Sequence, residues 1–526
     1  MSSLRDQSSY DVVVVGFGPS GAVAAALLGQ AGVRTLVVDR TDEVYPKPRA
    51  IALDHEIMRV FQNLGLQDAV APFCEPFTPS EYYGVGGQLI KRLATVEPPY
   101  PLGHTPSMVF TQPPVERALR EHVQAHPDVD VVLGQRFTGL EQDGQGVTVR
   151  LQGADGKGAS VHARYVIGCD GASSAVREAV GIELEDLQFD EPWLVVDVQV
   201  NEQGLAKLPR TSVQYCEPER PCTYVIGPGN HRRWEISLLP GEDPAYMATE
   251  EGAWSVLKRW IGPEDATLWR QASYRFHALV AREWRNGRVF IAGDAAHQQP
   301  PFLGQGMCQG VRDVANLVWK LNAVLTGAAR DALLDTYAEE RREHVRRLTT
   351  RIKEIGAVIC ERDVAAARNR DASLIAAAGG TIRTVPRQDI IPPLSSGLLD
   401  DGAHSGTGSL FPQPRVAGPG GPALLDDVAG TGWHIVTTLP LAQLPPGLLP
   451  LAQSLGTLVC MAPGEQRFSN AQHCIEAGEL DGVLAGWFER HQCRASVVRP
   501  DRYVYGVADN GEALLELVAG LQQRLK

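Results

Sequence analysis

The chain has 526 residues, 44% of them apolar and 21% charged, with 62 acidic against 49 basic side chains and a formal net charge of −13. This is the balance of a packed globular protein with room for more than one domain, and it excludes a disordered or collagen-like chain. Net acidity without a long basic run argues against a nucleic-acid partner, and no run of about 18 apolar residues suggests a membrane span or stable membrane association.

The amino terminus, MSSLRDQSSY, is polar and has no apolar signal core, so a cytoplasmic location is expected. The nine cysteines are scattered and never spaced C-x-x-C. Reduced thiols are expected, with neither disulfides nor a bound metal.

Residues 10–40, YDVVVVGFGPSGAVAAALLGQAGVRTLVVDR, read as strand, glycine turn, helix and parallel strand. Gly16, Gly18 and Gly21 have the G-x-G-x-x-G spacing: a tight turn, a close backbone approach to a pyrophosphate, and close helix packing. The free N–H groups and positive dipole end of the helix would face the phosphates. Asp39, closing the second strand with Arg40 after it, is placed to bind a ribose. Such glycines alone can serve only a turn, but in this setting they point to a dinucleotide. Which dinucleotide stays open at this point.

Residues 165–181, YVIGCDGASSAVREAVG, repeat the theme, with Asp170 at a strand end and Arg177 in the following helix. Between 186 and 285, WLVVDVQV, TSVQYCEP, CTYVIGPG and RWEISLLP read as strands of a separate sheet. A third strand end follows at VFIAGDAAHQQPPFLGQGMCQGVRD, residues 289–313. Its strand ends in Asp294, and a helix with apolar Val311, Val314, Val318, Leu321 and Leu325 starts near Gly306. Pro300 and Pro301 stiffen the bend between them, while Gly304 and Gly306 remove side chains where a flat ligand would meet the backbone.

The three fingerprints GFGPSG, CDGASSAVR and GDAAHQQPPFLGQG, in this order and spacing, resemble the single-component FAD-dependent aromatic hydroxylases with the para-hydroxybenzoate hydroxylase fold. The likeness covers about residues 10–385. KPRAIALDHEIMRVF, FTQPPVERALREH, YRFHALVAREWRNGRVFIAGDAAH and SVVRPDRYVYG place the chain nearest the 3-(3-hydroxyphenyl)propionate hydroxylases and phenol hydroxylase-like enzymes.

The resemblance implies an α/β fold: a Rossmann-type FAD-binding domain with an interleaved β-sheet substrate domain and a C-terminal thioredoxin-like domain. The expected division is 1–185 and 286–385 for FAD binding, 186–285 for the substrate sheet, 386–422 for a Pro/Gly/Ser-rich linker, and 423–526 for the last domain. Lacking C-x-x-C, that domain is expected to be structural or to support a homodimer. By the same resemblance Arg49 would contact the FAD pyrophosphate and Gln112 would also hold the cofactor. Asp170 would serve the pyrophosphates and nicotinamide, and Asp294 the ribityl and pyrophosphate region. Cys308 and Gln305 stand where para-hydroxybenzoate hydroxylase has asparagine and lysine.

The implied reaction consumes NADH or NADPH and O2 and hydroxylates a phenol through a flavin C4a-hydroperoxide. Backbone N–H groups at Met307 and Cys308 would stabilise the reduced flavin, and Pro301, Phe302 and Leu303 would keep water away. A phenol also needs a base, for which Tyr215, Tyr224 and His277 are the candidates. A substrate carboxylate would want an arginine, with Arg210, Arg232 and Arg233 in range by location. GPGNHR and GTGSLF lack a strand-helix setting, so the nicotinamide donor has no Rossmann domain of its own. In the family it visits transiently while a mobile flavin moves between a reduction and a hydroxylation position. Two other readings use the same residues: a flavin reductase, dehydrogenase or halogenase on this fold, or a non-catalytic redox-sensing flavin module. The halogenase motif W-x-W-x-I-P is absent.

Overall fold

The computed structural model describes residues 9–402, 404–463, 468–471 and 474–526. β1 (Ser9–Val15) carries the four valines, all fully buried or nearly so. α1 (Pro19–Gln30) covers it; proline at its first position costs nothing because that N–H has no helical partner. The helix is rich in Ala and Gly, so it is slim enough to be buried on nearly every side. β2 (Thr35–Asp39) runs parallel to β1, and α2 (Gln112–Gln124) packs on α1.

β3 (Gly158–Gly168) flanks β1 on the other side, again in parallel. β4 (Leu184–Val200) and β5 (Ala266–Ala281) then pair antiparallel as two long strands, and β6 (Val289–Ile291) returns the chain beside β3. α3 (Gly306–Leu325) and α4 (Asp335–Cys360) complete this part. The first sheet has the order Arg285–Asn286, β6, β3, β1, β2, Val129–Leu133. Because β1, β2, β3 and β6 are parallel, their carboxyl ends share one edge, where open α/β sheets bind ligands.

The second sheet gathers strands from distant stretches: His297–Gln298, β5, β4, His231–Ser237, Cys222–Ile226, Ser212–Tyr215, Ser80–Tyr83, Leu89–Ala94 and Thr384–Pro386. On one face Leu194, Val196, Val213, Tyr224, Trp234 and Ile236 form a core closed by Leu257. The opposite face is turned toward the edge of the first sheet and walls a cleft.

In the C-terminal sheet Trp433–Thr437 pairs in parallel with Gly456–Pro463 and antiparallel with Ala495–Val498, which pairs antiparallel with Val504–Ala508. Helix Gly511–Leu525 packs on it, giving the thioredoxin-like order expected. The stretch read as a linker supplies strand Arg415–Gly418 to this sheet. The domain docks through buried charges: Glu340 of α4 receives Lys320 of α3 at 2.8 Å and Arg499 at 2.6 Å, all fully buried. No helix among the described residues is long and apolar enough to cross a membrane.

Candidate active site

The cleft between the two sheets holds about 1330 Å3, and all three strand-end fingerprints open into it. At the first, α1 begins at Gly18 with no side chain capping its N–H groups. A Cβ on Gly21 would lie 1.9 Å from the Gly16 carbonyl oxygen, so only glycine lets the turn lie on the helix. Asp39 accepts hydrogen bonds from the amides of Phe17 (2.7 Å) and Thr41 (2.8 Å), which fixes its carboxylate at the cleft wall beside Arg40.

The loop carrying Arg49 is clamped between helix α2 and the second sheet. The Gln112 side-chain oxygen accepts from the amides of Ala50 (2.6 Å) and Arg49 (3.2 Å). Arg233 donates to the Arg49 carbonyl and Arg270 to the Pro48 carbonyl, each at 2.8 Å. The Arg49 guanidinium itself lies over the Tyr45 ring, is exposed, and lines the cleft. Among the described residues it has no carboxylate partner.

Asp170, at the end of β3, accepts from Ser174 Oγ (2.5 Å) and the Val176 amide (3.1 Å), and so caps the short helix Ala175–Ala179. Arg177 in that helix is buried and donates to the carbonyls of Ala172 and Ala295, tying the second fingerprint to the third. Asp294 opens into the cleft and accepts no hydrogen bond from the described residues. The protein crowded round the cleft desolvates it and raises its pKa, against the pull of His297 and Arg49.

The bend beyond it is a single turn, Pro301–Leu303, ended by Gly304 at φ +61°. That left-handed conformation favours glycine. α3 starts at once, again with no side-chain cap, and a Cβ on Gly306 would meet nothing within 4 Å, because it would point into the cleft. Phe302 is held by Phe189, Trp193 and Phe276 at ring distances of 5.5–6.3 Å. It also lies under Gly356 of α4, where a Cβ would come within 2.6 Å of its ring.

Two uncapped helix N-termini, a free arginine, an unpartnered aspartate and two open glycine positions on one cleft fit a dinucleotide flavin. Met307 lines the cleft, whereas Cys308 is wholly buried, with its thiol against the Ala52 carbonyl, so only its backbone is available. Gln305 is turned inward to accept from Arg312 at 2.9 Å. Arg312 also reaches Asp54 and Glu56, and Glu56 accepts from Tyr503 Oη of the C-terminal domain at 3.0 Å.

The other wall shows the period-two alternation of a sheet. Gln214, Thr223, Val225, Arg233 and Glu235 face the cleft, and Tyr215, Tyr224 and Trp234 face the core. This corrects two expected bases. Tyr224 Oη is spent on the Pro209 carbonyl (3.4 Å), and Tyr215 Oη receives the Trp260 indole N–H (3.2 Å), both away from the cleft. His277 does line the cleft, part-exposed and 3.6 Å from Asp190, as does Pro301.

Of the expected arginines Arg233 alone lines the cleft, and it is neutralised by Asp197 at 2.7 Å and 3.1 Å. Arg232 bonds the carbonyls of its own turn, and Arg210 is exposed elsewhere. Among the cleft residues that escaped the sequence reading are Glu235 and Arg387. Glu235 is an acid between Trp234 and Ile236 in an otherwise apolar strand, a signal that was available. Arg387 comes from the stretch read as linker; it donates to the Leu303 carbonyl at 2.5 Å and stacks on Phe77.

The family model described as an FAD binding domain matches residues 9–352, and one described as the HcaD C-terminal domain matches 408–523. The chain is 38% identical to a probable NADH-specific resorcinol 4-hydroxylase of Rhodococcus jostii, over 99% of this chain and 95% of that protein. It is 34% identical to a 3-(3-hydroxy-phenyl)propionate/3-hydroxycinnamic acid hydroxylase of Burkholderia cenocepacia, over 96% and 95%. Its fold matches the flavin-dependent monooxygenase PieE, solved with FAD and substrate, at a TM-score of 0.80 and 22% identity over 98% of this chain and 99% of that one. Aklavinone-11 hydroxylase, solved with FAD and aklavinone, matches at 0.79 and 24% over 99% of both. The cleft and these likenesses lead to one conclusion: the chain belongs to the FAD-dependent aromatic hydroxylases.

Proposed function

We propose that this monooxygenase uses NADH and O2 to place a hydroxyl on the ring of a single-ring phenol of the resorcinol or 3-(3-hydroxyphenyl)propionate class. The observation that carries this reading is the two-walled cleft: one wall is built for a dinucleotide flavin, the other is a sheet face with aromatic and polar side chains of substrate size. When bound, FAD supplies the redox chemistry and the transfer of oxygen. The chain's own residues hold the reactants and keep the site dry. Phe302, Phe189, Trp193 and Phe276 form an apolar wall beside the bend that excludes water. The uncapped amides at the start of α3 favour negative charge placed against them. His277, part-exposed beside Asp190, is suited to carry the phenolic proton to solvent.

The choice of NADH rests on the Rhodococcus jostii relative. A cytoplasmic setting is supported by all nine cysteines being free thiols. Assembly as a homodimer belongs to the same proposal and is checked by the mass of the holoenzyme in solution. To test the activity, a panel of phenols is scored for stimulated NADH oxidation, oxygen uptake and product mass. Stoichiometric hydroxylated product is expected; NADH oxidation that no phenol stimulates and that yields no product would sink the reading.

A further inference from the structure

We propose that Glu235 selects the substrate: its carboxylate accepts a hydrogen bond from a hydroxyl of the bound arene and favours an uncharged hydroxyarene over one carrying a carboxylate. This deepens the hydroxylase reading and rests on it. Glu235 lies on strand His231–Ser237, on the face that walls the cleft, in register with Thr223 and Val195 of the flanking strands. Its side chain is 4% exposed, yet among the described residues its carboxylate accepts no hydrogen bond and pairs with no cation. Buried acids are ordinarily paired, because an unpaired one forfeits its hydration without return. One that opens into a ligand cleft is completed by a donor on the ligand.

The neighbouring groups are already committed. Thr223 Oγ donates to the side-chain oxygen of Gln214 at 2.5 Å. The donors of Arg233 are taken by Asp197 and the Arg49 carbonyl. Arg270 donates to the Pro48 carbonyl and Tyr274 Oη and lies 3.5 Å from Asp197. Arg233 and Arg270 share the single carboxylate of Asp197, so Glu235 already brings this group of two arginines and two acids to neutrality, and a carboxylated substrate would add a negative charge with nothing left to offset it. Among the other cations of the cleft, Arg49 stands at the flavin wall, and Arg387 stands beside the bend, partly spent on the Leu303 carbonyl and the face of Phe77. It marks the competing arrangement, in which a substrate carboxylate pairs with Arg387 and Glu235 is incidental.

The experiment compares the wild-type holoenzyme with Glu235→Gln and Glu235→Asp at pH 8, using resorcinol and 3-(3-hydroxyphenyl)propionate, with kcat and KM taken from hydroxylated product. FAD content serves as the control for folding. Wild type should favour resorcinol. Glu235→Gln should lose about 10- to 100-fold in kcat/KM for resorcinol, mainly through KM, with a much smaller loss for the carboxylated phenol, and Glu235→Asp should recover part of the preference. A wild-type preference for the carboxylated phenol, or equal losses for both phenols in Glu235→Gln, overturns the inference and leaves the hydroxylase reading standing. No product from any phenol in wild type overturns both.

Discussion

Arg59 and Asp426, 367 residues apart in sequence, form a bidentate ion pair with both contacts at 2.8 Å and both side chains buried. The third arginine nitrogen donates to the Phe411 carbonyl, and Arg502 approaches the same aspartate at 3.0 Å. Burial alone would raise the Asp426 pKa, but Arg502 and Arg59 override it and hold the carboxyl well below the usual range. Removing one member strands a buried charge, so Asp426→Asn should cost about 3–5 kcal/mol. Urea unfolding of the holoenzyme measures this. Replacing all three members together, Arg59→Met, Arg502→Met and Asp426→Leu, strands no charge and should be far milder than Asp426→Asn alone; equal severity would show that this cluster does not hold the C-terminal domain in place.

Asp294→Ala is expected to weaken FAD binding by about 10- to 100-fold, the cost of removing a charged hydrogen-bond acceptor. The aspartate has no partner within the described protein, so little stability should be lost with it. Titrating the apoprotein with FAD by fluorescence, alongside a melting curve, separates these effects. Unchanged affinity would remove Asp294 from the cofactor site.

Gly306→Val places a branched side chain into the cleft at the start of α3, where the fold itself offers no clash. NADH oxidation should persist while the yield of hydroxylated phenol per NADH falls severalfold and hydrogen peroxide rises, because water gains access beside the bend. The three quantities are measured together on FAD-loaded protein. Tight coupling in the variant would show that Gly306 does not guard the site.

Burial pushes the Glu235 pKa up to about 7, against the opposing influence of Arg233. In an unfolded chain the same carboxyl titrates near its ordinary value of 4.5. Between those two values the unfolded chain releases its proton while the folded one keeps it. The favourable contribution is therefore present below 4.5 and lost as pH rises through about 7, amounting to about 3 kcal/mol. Glu235→Gln cannot titrate, so it should exceed wild type in stability at pH 8 and lose that advantage near pH 4. A urea midpoint that shifts equally at both pH values would contradict this.

The strand ends were legible because their signals are local: glycine spacing, an acid closing an apolar run, and the switch to a helical repeat all fall within about 25 residues. They led to Gly18, Asp39, Asp170, Asp294 and Gly306, all of which line the cleft. The substrate wall was less legible. Whether Tyr224 or Thr223 faces the ligand depends on which parity of the strand the core claims, and a one-residue difference reverses the answer. The Trp234 and Ile236 side chains settle it by packing with Tyr224 in the core, but only once the sheet is assembled. Arg387 was hidden for a different reason. It enters the cleft because Thr384–Pro386 pairs with Leu89–Ala94, a contact between stretches almost 300 residues apart that no local pattern announces.

Because the sheet face alternates, two vocabularies are interleaved on the same three strands. Val213, Tyr215, Cys222, Tyr224, Trp234 and Ile236 spell the inside of the domain, and Gln214, Thr223, Val225 and Glu235 spell the surface offered to the ligand. A lineage carrying this scaffold can therefore rewrite the second set one letter at a time, trading one aromatic diet for another, while the first set goes on folding the sheet unchanged. A small library at those four positions would sample much of that evolutionary freedom.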